Sequence, residues 1–327
     1  MSNVSAVRPT HKMHVTATDP LYASGPLVAD RVGPSFDDRP YERFSVAPMT
    51  PTIGAEVDGI RLGGDLDEET MAELRRALLE WKVLVFRDQD IERSAHRAFA
   101  SKWGELEEHP FIKYGKYPGQ TDADVVTLER DVSVAGIENN WHHDVSWSRA
   151  PSFGAVLRAV EVPAVGGDTL FADTCAAYDL LPDAIKERID SLVAEHDWVP
   201  NFGKSMTPDV IAALRPDYPA AQHPVVRVIP ETGRRTLFVN TNFTQRILGV
   251  SEAESNELLT LLYRHVQRAE FQVRLRWRKD TVAFWDNRTC QHYAASDYYP
   301  QRRIMDRLSI VGDVPVGIAG SPVAQEA

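Results

Sequence analysis

The sequence predicts a mainly β fold, a jelly roll carrying helical insertions. Two observations lead there. Many short apolar or alternating segments are separated by turns containing Gly or Pro, and amphipathic helical stretches lie before and between them. There is no internal repeat and no low-complexity tract.

Residues 1–40 are polar, with scattered Pro and Gly and no apolar run, so they read as a poorly ordered arm rather than a signal peptide or membrane span. Residues 41–327 read as a single domain. Phe44 to Leu62 alternates loosely around Pro51, Gly54 and Gly59 and predicts one or two short strands. Met71, Leu74, Leu78 and Trp81 recur at helical spacing, predicting a helix over Asp67 to Lys82. Val83 to Phe86 suits a buried strand, and Ile91 to Trp103 a second helix. Strand candidates follow at Gly154 to Val160 and Asp168 to Ala172, joined at Gly166-Gly167. Ala176 to Glu195 is predicted helical, and 198–222, rich in Pro and Gly without a period, a long loop or lid. Strands resume at Pro224 to Ile229 and Thr236 to Asn240. Ser251 with Glu254 forms a capping box for a helix to about Gln267. Phe271, Val273, Leu275 and Trp277 alternate with polar residues, the clearest half-buried strand. Thr281 to Trp285 and Arg303 to Val311 complete the set.

A chain of 327 residues with 43% hydrophobic and 25% charged residues is an ordinary soluble globular composition. Its net charge of -11 argues against nucleic acid or an anionic membrane as partner. Two cysteines in unrelated contexts, Cys175 and Cys290, fit reduced thiols in a cytoplasmic protein.

Chemistry concentrates in two stretches, Trp141-His142-His143-Asp144 and Trp285 to His292. In an extended segment His142 and Asp144 point to the same side. Two imidazoles and a carboxylate can cap one face of an iron(II) ion and leave the other open. Taken alone, a His-x-Asp triplet is more often a surface or hydrogen-bonding pair. Arg303 and Arg307 share one face of a strand candidate, roughly 13 Å apart. Each must meet an anion if buried, either a carboxylate of a neighbouring strand or a bound ligand.

Trp-His-x-Asp at 141–144, Gly-Gly-Asp-Thr at 166–169, Trp-Asp-Asn-Arg-x-x-x-His at 285–292 and Gln-Arg-Arg-x-Met-x-Arg at 301–307 resemble the taurine dioxygenase group of iron(II)/2-oxoglutarate-dependent dioxygenases. The resemblance runs from about Thr52 to Pro315. It implies a double-stranded β-helix, cupin-like, with His142, Asp144 and His292 holding Fe(II). It gives Arg303, assisted by Thr169, the distal carboxylate of 2-oxoglutarate, with O2 as the second cosubstrate. Around the substrate it implies His109 and Arg307 on the acidic group, Phe202 and Phe243 on the apolar part, and the backbone of Val145 nearby. The carboxylate at Asp144 departs from halogenases, which carry a small residue there.

Taurine-specific members hold the substrate amine with an Asn and a Tyr, where this chain has Glu138 and Ile112. Ile112 favours an apolar substrate end. Glu138 either pairs with a cation there or faces solvent. His143 is expected to pack away from the metal. His96 and His265 are expected at the surface or core edge, with no ligand role for them or for His196 and His223.

The leading expectation is oxidation of a small anionic aliphatic molecule, a sulfonate or alkyl sulfate, releasing sulfite or sulfate plus an aldehyde. A second reading is a hydroxylase of a carboxylate or amino-acid derivative, and a third a non-catalytic jelly roll with a structural metal. A homodimer or homotetramer is expected.

Overall fold

The computed structural model describes residues 27–108, 124–136, 138–320, 322–323 and 325. His109, Ile112 and most of the expected arm, 1–26, lie outside them.

Among the described residues, fifteen strands and seven α-helices follow in order. β1 (Ser45–Pro48) and β2 (Ala55–Asp58) precede α1 (Glu68–Trp81), β3 (Val83–Phe86) and α2 (Arg93–Ser101). Then come β4 (Val125–Arg130), β5 (Gly154–Glu161), β6 (Thr169–Asp173), α3 (Thr174–Asp179), α4 (Asp183–Ile189) and β7 (Val193–His196). α5 (Val199–Phe202) and α6 (Pro208–Leu214) lead to β8 (Ala221–Pro224), β9 (Val226–Val228), β10 (Arg235–Leu237) and β11 (Thr244–Ile247). The chain continues through α7 (Glu252–Val266), β12 (Gln272–Leu275), β13 (Val282–Asp286), β14 (Cys290–Ala294) and β15 (Arg303–Ile310).

Two sheets face each other. The larger has the order β1-β2-β3-β13-β5-β15-β4, and the smaller is β12-β6-β14. All their pairings are antiparallel except β2 with β3. Period-two alternation decides which side chains enter the space between them. In β3 and β13, Leu84, Phe86, Val282 and Phe284 turn outward onto α1 and α2. Val83, Val85, Ala283 and Trp285 turn inward onto Phe171, Val273 and Leu275 of the smaller sheet. In β15, Leu308 and Ile310 join the helical side and Met305 the inner side. Arg303 and Arg307 share the parity of Met305, so they project inward too.

Helix ends follow their caps. Asp67 accepts from the Thr70 N–H at 2.8 Å, and Ser251 accepts from the Glu254 N–H at 3.2 Å. Lys82 ends α1 at φ 63°, a conformation ordinarily left to Gly. Its buried ammonium compensates, bonding the carbonyls of Thr52 (2.8 Å) and Arg31 (2.7 Å) and pairing with Asp173 (3.1 Å). Arg234 adds bonds to the carbonyls of Asp30 and Arg31, so residues 30–31, inside the expected arm, are tied to the body. Arg76 does the same through the carbonyls of Asp37 and Pro40.

Three local expectations differ from the structure. The helix expected over 176–195 breaks into α3, α4 and β7, because Pro182 lacks an N–H to continue it. The expected loop over 198–222 holds α5 and α6, too short for a visible period, anchored by buried Trp198 and Leu214. His96 and His265 are buried rather than marginal, each with Nε2 against a backbone carbonyl, Val156 at 3.2 Å and Ala177 at 2.7 Å. A neutral imidazole with one such bond buries much as an apolar side chain does.

Candidate metal and anion site

His142 and His292 come from distant segments yet face each other across an isolated antiparallel bridge, with backbone bonds of 3.0 and 2.9 Å. β14 carries His292 beside Phe171 of β6. Trp285, reaching inward from β13, packs its ring 4.9 Å from the His292 imidazole.

The extended segment stops at His143. Asp144 begins a turn whose second residue, Val145, has φ 53°. Such a conformation is disfavoured for a β-branched residue and needs support. Asn287 provides it. Its Oδ1 accepts from the Asp144 N–H at 2.6 Å, and its Nδ2 donates to the carbonyls of Asp144 (3.0 Å) and Ser152 (2.9 Å). His143 points away from the pair flanking it, buried against the Phe238 ring at 4.7 Å.

The result is a cluster of three donor groups, His142, Asp144 and His292, whose ligand atoms lie within 4.8 Å of one another. Nε2 of His142 and of His292 stand 3.6 and 3.7 Å from Oδ1 of Asp144. Nδ1–H of His142 donates to the Asn140 carbonyl at 2.7 Å, which leaves Nε2 as the free donor atom. Burial holds both imidazoles below their usual pKa, so they are neutral. Burial also disfavours ionised Asp144, yet chiefly the Arg307 guanidinium holds its carboxyl down at about 2. Two neutral imidazoles and one carboxylate converging on a buried point are the donor set that suits Fe(II).

Arg307 sits at the junction of two spaces. Its Nη2 lies 2.8 Å from Asp144 Oδ2 and 3.1 Å from Ser309 Oγ. On one side is an inner chamber of about 70 Å³, lined by Thr169, Tyr298, Arg303, Leu157, His142 and His292. Here Arg303 is 6% exposed and donates to the Gly167 carbonyl at 3.2 Å. Among the described residues no carboxylate reaches ion-pair distance of it, and burial pulls its pKa down. Thr169 Oγ1 accepts from the Trp277 indole at 2.9 Å.

On the other side of Arg307 is an outer cavity of about 650 Å³. Val145, Trp147, Phe202 and Phe243 form one wall, with the last two rings 5.5 Å apart. Thr127 to Asp131 form the opposite wall. Glu138 faces this cavity and the inner chamber, held by Arg130. Its side chain is 34% exposed, and a cation of the chain itself meets it at that position. The structure thus brings together every expected site residue among those described. Sequence reasoning missed Arg130, Tyr298, the bond from Trp277 to Thr169, and Glu107, which accepts from Ser152 Oγ at 2.5 Å. Pairing of β4 with β15 delivers Arg130, whereas Trp277 and Tyr298 lie in the loops that follow β12 and β14.

A family model described as "Taurine catabolism dioxygenase TauD, TfdA family" matches residues 45–309. A sulfate ester dioxygenase of Pseudomonas putida, dependent on alpha-ketoglutarate, is 38% identical over 85% of this chain and 92% of its own. An alkylsulfatase of Acinetobacter baylyi is 34% identical over 88% and 90%. The crystal structure of a putative alpha-ketoglutarate-dependent taurine dioxygenase from Burkholderia xenovorans superposes with a TM-score of 0.74 at 36% identity, over 87% of this chain and 98% of that one.

Proposed function

The chain belongs to the taurine catabolism dioxygenase TauD, TfdA family and is an iron(II)/2-oxoglutarate-dependent dioxygenase; we propose that its substrate is an alkyl sulfate ester. His142, Asp144 and His292 would hold the metal. Bound Fe(II) supplies dioxygen activation coupled to oxidative decarboxylation of 2-oxoglutarate to succinate and carbon dioxide. Arg303, buried in a chamber of about 70 Å³ beside the triad with no carboxylate at ion-pair distance among the described residues, takes the remote carboxylate, with the Thr169 hydroxyl beside it. That buried cation, without a direct ion pair among the described residues, is the observation that carries the cosubstrate assignment.

Arg307 orients the sulfate. Its guanidinium stays on the Asp144 carboxylate, so the head group is fixed next to the metal ligands and the adjoining carbon stands nearest the oxidant. His109 and the backbone of Val145 are assigned to the same end, and Ile112 to the tail. Phe202 and Phe243 shield the alkyl chain from water. A space of about 650 Å³ is far larger than a two-carbon sulfonate needs and suits a longer chain. Hydroxylation of the carbon bearing the sulfate oxygen gives a hemiacetal ester, which collapses to aldehyde and sulfate. A sulfonate is the second reading, favoured by the likeness to a putative taurine dioxygenase.

Succinate formation with hexyl sulfate, hexanesulfonate and hexanoate separates these readings. Turnover with hexanoate alone would sink both and leave a carboxylate hydroxylase. Two buried free cysteines fit a cytoplasmic setting, and no helix among the described residues is long and apolar enough to cross a membrane. β1 and β4, the ends of the larger sheet, are candidate edges for a homodimer or homotetramer, which light scattering would report.

A further inference from the structure

The wall shared by the inner chamber and the outer cavity holds a second charged pair. Arg130 is the last residue of β4 and stands opposite Arg303 in the β4–β15 register. Its Nη1 donates to the Glu129 carbonyl at 2.8 Å, and its Nη2 to the Glu138 carboxylate. Its Nε is buried without a hydrogen-bond partner. The side chains are 18% and 34% exposed, and both residues line both spaces. The pair therefore borders both spaces, and its two charges offset each other.

Charge next to the triad sorts into three groups. Arg307 is partly offset by Asp144, Arg303 has no carboxylate at ion-pair distance among the described residues, and Arg130 is offset by Glu138. Farther out on the cavity wall, Glu129 pairs with Arg302 and Asp131 accepts from Ser133. A dianionic cosubstrate and a monoanionic head group would use the first two. A second negative charge on the substrate tail would approach Arg130 only by competing with Glu138, and a tail ammonium would approach Glu138 only by competing with Arg130. We propose that the Arg130–Glu138 ion pair is a specificity-determining element that restricts this site to substrates with a single negative charge and an uncharged tail. The inference rests on the sulfate-ester reading above.

Removing one partner should convert the wall into a charge-selective one. In Glu138→Gln, Arg130 keeps its charge and loses its counter-charge. The relevant probes are hexyl sulfate and its dianionic analogue, 6-sulfooxyhexanoate. In the wild type, kcat/KM should favour hexyl sulfate. In Glu138→Gln the ratio should move toward the dianion by about tenfold, as expected for a partly exposed guanidinium meeting a carboxylate. Calorimetric binding of the two probes to the metal-free protein gives the same ratio without turnover. Arg130→Gln should move the ratio in the opposite direction from Glu138→Gln.

Equal weakening of both probes in Glu138→Gln would overturn the proposal. So would a change confined to KM for 2-oxoglutarate, which would assign the pair to the cosubstrate. If the wild type oxidises neither sulfate, the head-group reading fails on its own. The pair is then tested by binding of mono- and dianionic forms of the substrate that is oxidised.

Discussion

Arg303→Met should weaken cosubstrate binding and leave the fold equally or more stable, a combination of signs that a structural arginine would not give. In the free protein this guanidinium is buried at 6% exposure, with one bond to the Gly167 carbonyl at 3.2 Å. Its depressed pKa reflects that burial. A charge buried without a partner carries a desolvation penalty of several kcal/mol, which a well-packed apolar side chain relieves. Against that stands the loss of one hydrogen bond, about 1 kcal/mol. The net expectation is an unchanged or raised Tm. With ligand present the balance reverses, since losing one partner of a buried charge pair costs about 2–5 kcal/mol, roughly 30- to 5,000-fold in affinity. Scanning calorimetry gives the first quantity. Titration of the Mn(II)-loaded protein with N-oxalylglycine, an inert analogue of 2-oxoglutarate, gives the second. A variant whose affinity stays within threefold of wild type, or whose Tm falls by many degrees, would refute the assignment.

Other perturbations follow from the same contacts. Asn287→Ala removes three bonds that hold the Asp144 turn and should lower metal affinity about 10- to 100-fold, measured by calorimetry with Mn(II). Burial pushes the Glu107 carboxyl up to about 7 from 4.5, opposed by Ser152 and Arg307. Its protonated form therefore contributes stability that is complete below about 4.5 and lost as pH rises through about 7. Glu107→Gln, which can still accept from Ser152 Oγ, should match the metal-free wild type near pH 4.5. By pH 8 it should exceed it by up to about 3 kcal/mol, read by chemical denaturation; a parallel pH dependence of the two proteins would contradict this. Phe202→Ala, which opens the aromatic wall, should raise KM for hexyl sulfate about tenfold through lost apolar contact and leave KM for 2-oxoglutarate nearly unchanged.

The parts legible in the sequence are those with a short period or a spaced motif. α1 showed its apolar stripe, α7 its capping box, and β15 two arginines at one parity. His142, Asp144, His292, Arg303 and Thr169 were singled out through the resemblance of four spaced motifs to a known family, since a His-x-Asp triplet alone says little. The rest depends on pairing between remote segments. β14 (Cys-Gln-His-Tyr-Ala) has no clean alternation, since Cys290, Gln291 and His292 are all buried. Lys82 and Asp173 are ordinary charges in sequence and become a buried pair only when α1 and β6 meet. Arg130 escaped notice because nothing local says that a strand-end arginine faces a chamber rather than water. Glu138 was visible as a departure from the taurine-specific pattern, but its partner was not.

The central claim is that this site couples 2-oxoglutarate decarboxylation to cleavage of a sulfate ester through His142, Asp144 and His292. Its most direct test is the stoichiometry of succinate, inorganic sulfate and hexanal formed from hexyl sulfate with Fe(II), 2-oxoglutarate and dioxygen. The account predicts equal amounts of all three from the wild type and none from Asp144→Ala. Succinate without sulfate, or sulfate released without 2-oxoglutarate, would contradict it.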